Sequence, residues 1–206
     1  MNNGTAMVKK ESKITVRYMS TVGILTAISA VVMLFEFPLW FAPEFYKLDF
    51  SEVIVAIGAF TLGPVAGIII ELLKNILNLL LNGTTTAGVG EFANFVLGCA
   101  FIVPASFIYK YSRTLKGALI GLIVGTVSLA LFGALMNMYV LLPLYSYFYK
   151  APIEAFVEAG KAVNRNIVDL KTLIVFAVIP FNLLKALVVS VITLFSYKKL
   201  STIIHK

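Results

Sequence analysis

The stretch that decides the fold is LKGALIGLIVGTVSLALFGALMNMYVLL, residues 115–142. After Lys116 it contains no charged side chain, and it exceeds the ~20 residues that an α-helix needs to cross a bilayer. The chain as a whole has this character: of its 206 residues 60% are hydrophobic and 13% are charged, whereas soluble domains average about 25% charged residues. The composition therefore predicts a membrane protein whose residues 1–206 form one domain.

Five further apolar segments accompany this one, so we predict an all-α, polytopic membrane protein built as a bundle of six transmembrane helices. The second segment is shorter than a full span, which is expected of a tilted or half-buried helix. Pro64 suits the first turn of the third helix, because its missing N–H is not needed there. The predicted spans cover about residues 14–35, 51–63, 64–81, 91–109, 115–142 and 172–197.

Two connections between the spans are long enough to have structure of their own. The first, EFPLWFAPEFYKLDF at residues 36–50, is rich in proline and aromatic side chains and is expected to cover one end of the bundle. The second runs from Tyr145 to Lys171, and its PIEAFVEAGKAVNRN stretch at residues 152–166 predicts a short amphipathic helix.

Charge sets the expected orientation. The net charge is +7, and most cations flank apolar spans, which is the positive-inside pattern rather than a nucleic-acid surface. An even number of spans then places both termini in the cytoplasm, with residues 1–12 as a disordered or tag-like tail and no signal peptide. The three basic clusters are Lys9, Lys10, Lys13 and Arg17; Lys110, Arg113 and Lys116; and Lys198, Lys199 and Lys206.

Several kinds of site are disfavoured. One cysteine, Cys99, and one histidine, His205, cannot build a disulfide framework or a zinc site. The chain also lacks the GxxxxGK[ST] loop of nucleotide-hydrolysing proteins, so it is not expected to hydrolyse ATP by itself.

The last span carries polar groups that a membrane helix rarely tolerates. In IPFNLLKAL, residues 179–187, Asn182 and Lys185 lie three residues apart and share one helix face. An ionisable residue within a span costs ~3 kcal/mol or more, so it faces a cavity or a partner. Lys185 is therefore interpreted as a group of a substrate cavity, with pairing to a buried carboxylate as the structural alternative.

Other polar residues fall at similar depths in neighbouring spans. Glu71 and Lys74 are spaced to pair with each other on span three, and Glu91 is placed to stabilise the start of span four. The amides Asn75, Asn78, Asn94 and Asn137 either bond between helices or line a cavity. Under the predicted topology Asn78, Asn94, Asn137, Asn182 and Lys185 converge toward the outer side, where they predict a pocket for a flat, mostly apolar molecule with polar edges.

Span one offers a possible contact surface. Gly23 and Ala27 form a small-xxx-small pattern that allows another helix to approach closely. This face either packs within the bundle or docks a separate subunit.

Taken in order, LDFS, GPVAG, LLKN and PFNLLK, with MNMYVLLPLY between the last two, resemble the substrate-binding S-components of energy-coupling-factor (ECF) vitamin transporters, most closely the riboflavin-specific branch. The resemblance covers about residues 13–197 and implies six helices in a bacterial or archaeal cell membrane, with both termini cytoplasmic. It implies riboflavin, and FMN if the mouth is open, as the transported ligand rather than a cofactor, and no enzymatic activity. The implied partners are a membrane scaffold subunit and two cytoplasmic ATPases.

The resemblance also implies roles for individual residues. Asn182, Lys185 and Asn137 would contact the flavin, Asn94 and Gly98 are further matches, and Gly23 and Ala27 would dock on the scaffold. The first loop would contact the ligand largely through its backbone around Lys47, Leu48 and Asp49. Other functions stay open: an S-component for another vitamin or a nucleobase-like compound, an intramembrane enzyme using Glu71, Glu91 and Lys185, or an assembly factor with no ligand cavity.

Overall fold

The computed structural model describes residues 15–204, with side chains described for residues 15–196. The predicted tail 1–12, the cations Lys9, Lys10, Lys13 and Lys206, and His205 lie outside the described residues. The helices are α1 (Val16–Met33), α2 (Ser51–Leu62), α3 (Pro64–Asn82), α4 (Val89–Tyr111), α5 (Leu115–Met136), α6 (Leu142–Tyr149), α7 (Ile153–Val163), α8 (Leu170–Leu173) and α9 (Ile179–Ile204). Two π-turns, Asn137–Leu141 and Ile174–Val178, join α5 to α6 and α8 to α9.

Within residues 15–204, five helical stretches have the length and apolar composition needed to cross a membrane. α2 is apolar but shorter, as predicted for the second segment. This content confirms an all-α membrane protein. The five stretches are Val16–Met33, Pro64–Asn82, Val89–Tyr111, Leu115–Tyr149 and Leu170–Ser196.

The helical stretch Leu115–Tyr149 continues beyond residue 142, where the sequence predicted the end of the fifth span. Pro143 cannot donate a hydrogen bond and its ring crowds the carbonyl one turn earlier. The π-turn immediately before it widens the helix, so that the N–H of Leu142 bonds to the carbonyl of Asn137 and the helix continues to Tyr149. Pro180 is accommodated in the same way, with the N–H of Ile179 bonded to the carbonyl of Ile174. The two π-turns contact each other, so both irregularities lie at one place in the bundle.

The break between α2 and α3 is the one that the sequence predicted. Gly63 has a φ of +99°, which a residue with a side chain rarely adopts, and Pro64 begins α3. α3 then packs closely on its neighbours at Gly67, where a Cβ atom would lie 2.7 Å from the Cβ of Ala59 and 2.8 Å from Ile102. This close contact holds α2, α3 and α4 together.

The first loop folds back onto the bundle. β1 (Phe37–Pro38) and β2 (Lys47–Leu48) pair antiparallel, with Phe37 opposite Leu48. Two aromatic residues of the loop contact later helices: the ring of Phe45 is 5.7 Å from that of Phe156 on α7, and the ring of Tyr46 is 5.4 Å from that of Phe181 on α9. α7 is the predicted amphipathic helix and buries Val157 and Gly160. The loop therefore lies across the end of the bundle near the two π-turns.

Candidate ligand-binding cavity

A cavity of about 440 Å³ lies beneath the first loop, among α3, α4, α5, the first π-turn and α9. This volume is in the range typical of small-molecule sites. Its apolar wall includes Phe101, Leu129, Leu141, Tyr145 and Phe181. Of the nine binding residues expected from the sequence, seven line it: Lys47, Asn78, Asn94, Gly98, Asn137, Asn182 and Lys185.

The cavity has a buried floor and a more exposed rim. The floor is formed by polar side chains that are each less than a tenth exposed: Glu52, Asn78, Asn137, Asn182 and Lys185. The rim carries four charged side chains that are partly or fully exposed: Glu36, Glu44, Lys47 and Glu91.

Lys185 is part of the floor and is also held by protein groups. Its Nζ lies 3.2 Å from Oδ2 of Asp49 and donates a hydrogen bond to Oδ1 of Asn94 at 3.2 Å. The structure thus combines the two interpretations that the sequence left open, a cavity residue and a partner of a buried carboxylate. It also supplies the partner, Asp49, which the sequence had suggested only as a backbone contact to a ligand.

Asp49 and Leu48 lie behind the cavity wall rather than in it. Leu48 packs with Ala42 and Phe181, and Asp49 accepts hydrogen bonds from the backbone N–H, at 2.8 Å, and from the hydroxyl of Ser51. Burial alone would raise the pKa of Asp49, but the ammonium groups of Lys185 and Lys74 and the bonds from Ser51 together lower it to about 2. Of the three loop residues predicted around the ligand, Lys47 lines the cavity. Leu48 and Asp49 do not, because their side chains turn toward the protein interior.

A second ionic cluster lies next to the first. Lys74 Nζ is 2.9 Å from Oε2 of Glu71 and 2.7 Å from Oε1 of Glu52, and all three side chains are buried. The predicted pairing of Glu71 with Lys74 is confirmed, whereas Glu52 was not anticipated as its second partner. Lys74 also donates to the hydroxyl of Ser51 at 2.9 Å, so Ser51 links this cluster to Asp49. Lys74 thereby links α3 to Glu52 and Ser51 of α2, whereas its pair with Glu71 lies within α3.

Gly98 makes room for this cluster. A Cβ atom at this position would lie 2.4 Å from Oε1 of Glu71 and 3.1 Å from Oε1 of Glu52. Gly98 also lines the cavity, but its closest constraint comes from the carboxylates behind it. Any side chain there would displace the Glu71 carboxylate.

Asn137 is fixed by bonds to two parts of the chain. Its Nδ2 donates to the carbonyl of Gly133 at 2.8 Å, and its Oδ1 accepts from the phenol of Tyr46 at 2.7 Å. Burial, with a smaller contribution from Tyr145, raises the pKa of Tyr46 well above its ordinary value, so the phenol remains a donor. The first loop is therefore attached directly to the π-turn that presents Asn137.

Gly133 is a residue that sequence reasoning missed. A Cβ atom there would lie 2.6 Å from Nδ2 of Asn182 and 3.6 Å from Leu97. The same residue provides the carbonyl that holds Asn137. Its place one turn before Asn137 is the signal in the sequence that would have pointed to it.

Two floor side chains present unpaired acceptors. Oδ1 of Asn78 and Oε2 of Glu52 are buried and have no hydrogen-bond partner among the described residues. A buried acceptor without a partner costs free energy, so these atoms favour a ligand or solvent that carries N–H or O–H groups. The cavity thus combines aromatic and aliphatic walls with polar groups that both donate and accept hydrogen bonds.

Glu91 lies in the first turn of α4, as the sequence predicted. Its Oε2 accepts hydrogen bonds from the hydroxyls of Thr84 at 3.1 Å and Thr86 at 3.2 Å. Lys47 and Glu36, which also lie at the rim, form an ion pair at 2.6 Å.

The two residues of the small-xxx-small pattern on α1, Gly23 and Ala27, point away from the bundle. Both residues are exposed, and apart from the chain neighbours and nearby helix backbone, no atom of the described residues lies within 4 Å of a Cβ built on Gly23. Thr26, Ser29 and Ala30 occupy the buried face of the same helix. This arrangement excludes Gly23 from helix packing within the described bundle and leaves the small-residue face accessible.

Comparisons with known proteins agree with this architecture. A family model described as "ECF transporter, substrate-specific component" matches residues 17–197. The chain is 38% identical over 186 residues to the riboflavin transporter RibU of Staphylococcus aureus (strain TCH60), covering 90% of this chain and 91% of the relative. It is 33% identical over 178 residues to the riboflavin transporter FmnP of Bacillus subtilis (strain 168), covering 86% and 88%.

A solved structure of the S component of a bacterial ECF transporter also resembles this fold. It is 35% identical in sequence, with a TM-score of 0.73, and the match covers 92% of this chain and 98% of that one.

Proposed function

The chain belongs to the substrate-specific components of ECF transporters, and on this premise we propose that it is the high-affinity riboflavin-binding subunit of an ATP-driven vitamin importer. Members of this family serve transport in the bacterial membrane and are not enzymes. The observation that carries the proposal is the cavity of about 440 Å³ in which Asn137, Asn182 and Lys185 meet an aromatic wall.

In the proposed complex, Asn182 and Lys185 bond the carbonyl and nitrogen edge of the isoalloxazine ring. The neighbouring Asp49 offsets the cost of keeping the Lys185 ammonium charged away from water. Asn137, Asn94, Asn78 and Gly98 contribute the remaining polar wall. Apolar residues of the first loop and of α5 hold the dimethylbenzene end. High affinity follows from burying the rigid isoalloxazine ring, which loses little conformational freedom on binding.

We propose the full topology on the same basis. α2 provides the sixth membrane segment, residues 1–206 form one domain, and both termini lie in the cytoplasm. The cavity then opens to the outside, where the first loop covers it. Lys110, Arg113 and Lys116 at the turn between α4 and α5 support the assignment of that turn to the cytoplasmic side.

The proposed partners are a membrane scaffold subunit and two cytoplasmic ATPases. The exposed Gly23 and Ala27 on α1 form the docking surface, because small residues allow the backbone of a partner helix to approach. The double variant Gly23→Leu with Ala27→Leu is expected to lose copurification with the scaffold and to keep riboflavin binding. Ala159→Leu on the exposed face of α7 is the matched control. Copurification that survives the double change would place the docking surface elsewhere.

The riboflavin assignment is tested by titrating the purified protein and following the quenching of flavin fluorescence. Asn182→Ala is expected to weaken binding by about tenfold or more, the equivalent of one to two hydrogen bonds to a buried ligand. Asn166→Ala, which removes an exposed amide outside the cavity, serves as the control. If the unchanged protein does not quench flavin fluorescence but binds another vitamin or a nucleobase in a parallel screen, riboflavin is not its ligand.

A further inference from the structure

The cavity has the opposite electrostatic character from the protein as a whole. The chain carries a net charge of +7, yet the cavity wall contains four carboxylates and two ammonium groups. The carboxylates belong to Glu36, Glu44, Glu52 and Glu91, and the ammonium groups to Lys47 and Lys185.

The two cations are already engaged by carboxylates. Lys47 pairs with Glu36 across the rim at 2.6 Å, and Lys185 pairs with Asp49 behind the wall at 3.2 Å. Lys74, which does not line the cavity, is shared between Glu52 and Glu71. The floor therefore has no cation that is free of a carboxylate among the described side chains.

At the rim, the carboxylates of Glu44 and Glu91 form no ion pair with any described side chain. Glu91 is bonded to the hydroxyls of Thr84 and Thr86, which are neutral and leave its negative charge in place. Glu44 is exposed beside the mouth. A ligand group at the rim thus meets an excess of negative charge from Glu44 and Glu91.

We propose that this acidic wall makes the protein select the uncharged vitamin over its phosphate ester, with Glu44 and Glu91 as specificity-determining residues. The inference rests on the proposed riboflavin function and decides between riboflavin and FMN, which the sequence left open. A phosphate on the floor would lose its hydration next to Glu52 with no spare cation to receive it. A phosphate at the rim would remain hydrated but would face the two carboxylates.

Repulsion at a hydrated rim is modest and depends on salt. Repulsion between the phosphate and a rim carboxylate that lies within about one Debye length weakens FMN binding by roughly threefold to tenfold. The effect decreases as the ionic strength rises. Riboflavin is neutral, so its binding carries no such dependence. An increase in FMN affinity with salt therefore indicates charge repulsion, whereas a purely steric exclusion of the phosphate would show no dependence on salt.

The test is a set of titrations with riboflavin and with FMN at ~10 mM and ~300 mM salt, which span Debye lengths of roughly 30 Å to 6 Å. In the unchanged protein FMN is expected to bind more weakly than riboflavin, and the gap is expected to narrow at high salt. Glu44→Gln combined with Glu91→Gln should shift the ratio of the two affinities by about threefold to tenfold toward FMN and remove most of its salt dependence. Lys47→Gln should shift the ratio the other way.

Glu154→Gln, which removes an exposed carboxylate outside the cavity, is the matched control and should leave the ratio unchanged. The inference is overturned, while riboflavin binding stands, if FMN binds as tightly as riboflavin. It is also overturned if the ratio of the two affinities changes neither with salt nor with the substitutions at Glu44 and Glu91. If neither flavin binds, the proposed function itself fails and the inference fails with it.

Discussion

Replacing Lys185 by methionine separates the two roles that the structure gives this side chain. The change keeps an unbranched side chain but removes the ammonium that pairs with Asp49 and bonds to Asn94. Asp49 is 2% exposed, so the variant leaves a buried carboxylate without its partner. We expect a loss of both folding stability and riboflavin affinity.

The structure sets the size of the stability loss. Holding the pKa of Asp49 at about 2, below its ordinary value of 3.8, corresponds to a net favourable interaction of ~2 kcal/mol. Removing one partner of a buried pair typically costs ~3–5 kcal/mol, because the remaining charge stays desolvated. Lys185→Met is therefore expected to lower the free energy of unfolding by about 3 kcal/mol. Adding Asp49→Asn removes the orphaned charge and should recover at least about half of that loss.

The assay is unfolding of the flavin-free protein in detergent, followed by flavin titration of each folded variant. The exposed pair Lys161–Glu158, also at 3.2 Å, is the control, and Lys161→Met combined with Glu158→Gln should cost ~0.5 kcal/mol or less. The double variant at Lys185 and Asp49 should regain stability but not flavin affinity. If the stability loss of the double variant equals the sum of the losses from Lys185→Met and Asp49→Asn, the two residues are not coupled. Unchanged flavin affinity in Lys185→Met would mean that Lys185 does not contact the ligand.

Two further predictions concern residues around the cavity. Gly133→Ala places a Cβ atom 2.6 Å from Nδ2 of Asn182, and we expect riboflavin affinity to fall about tenfold in the unchanged background but less than about twofold when Asn182 is already alanine. An equal loss in both backgrounds, measured by flavin quenching, would mean that Gly133 acts through another contact. Because the folded state lowers the pKa of Asp49, its contribution of ~2 kcal/mol is fully present above pH ~4 and is lost as the pH falls toward ~2. Unfolding measured across this range should show the decline in the unchanged protein, and an identical decline in Asp49→Asn would assign it to other carboxyl groups.

Much of the fold could be predicted because it is encoded by neighbouring residues. Hydropathy located the membrane helices, Pro64 marked the start of α3, and the amphipathic pattern predicted α7. Spacing along a helix also predicted that Glu71 pairs with Lys74 and that Asn182 and Lys185 share a face. The helix through Pro143 could not be predicted, since its continuation depends on a π-turn packed against a second π-turn.

The sequence by itself determined an apolar helical bundle with polar groups in its last span, because burial and helix periodicity are properties of local composition. Tertiary structure alone decided what those groups contact. Lys185 meets Asp49 from 136 positions away, and Tyr46 reaches Asn137 across 91 positions. The absence of a side chain at Gly133 matters because α5 packs where Asn182 requires space. Such partners depend on how separate helices and the first loop are placed against one another, and no local pattern in the chain records that placement.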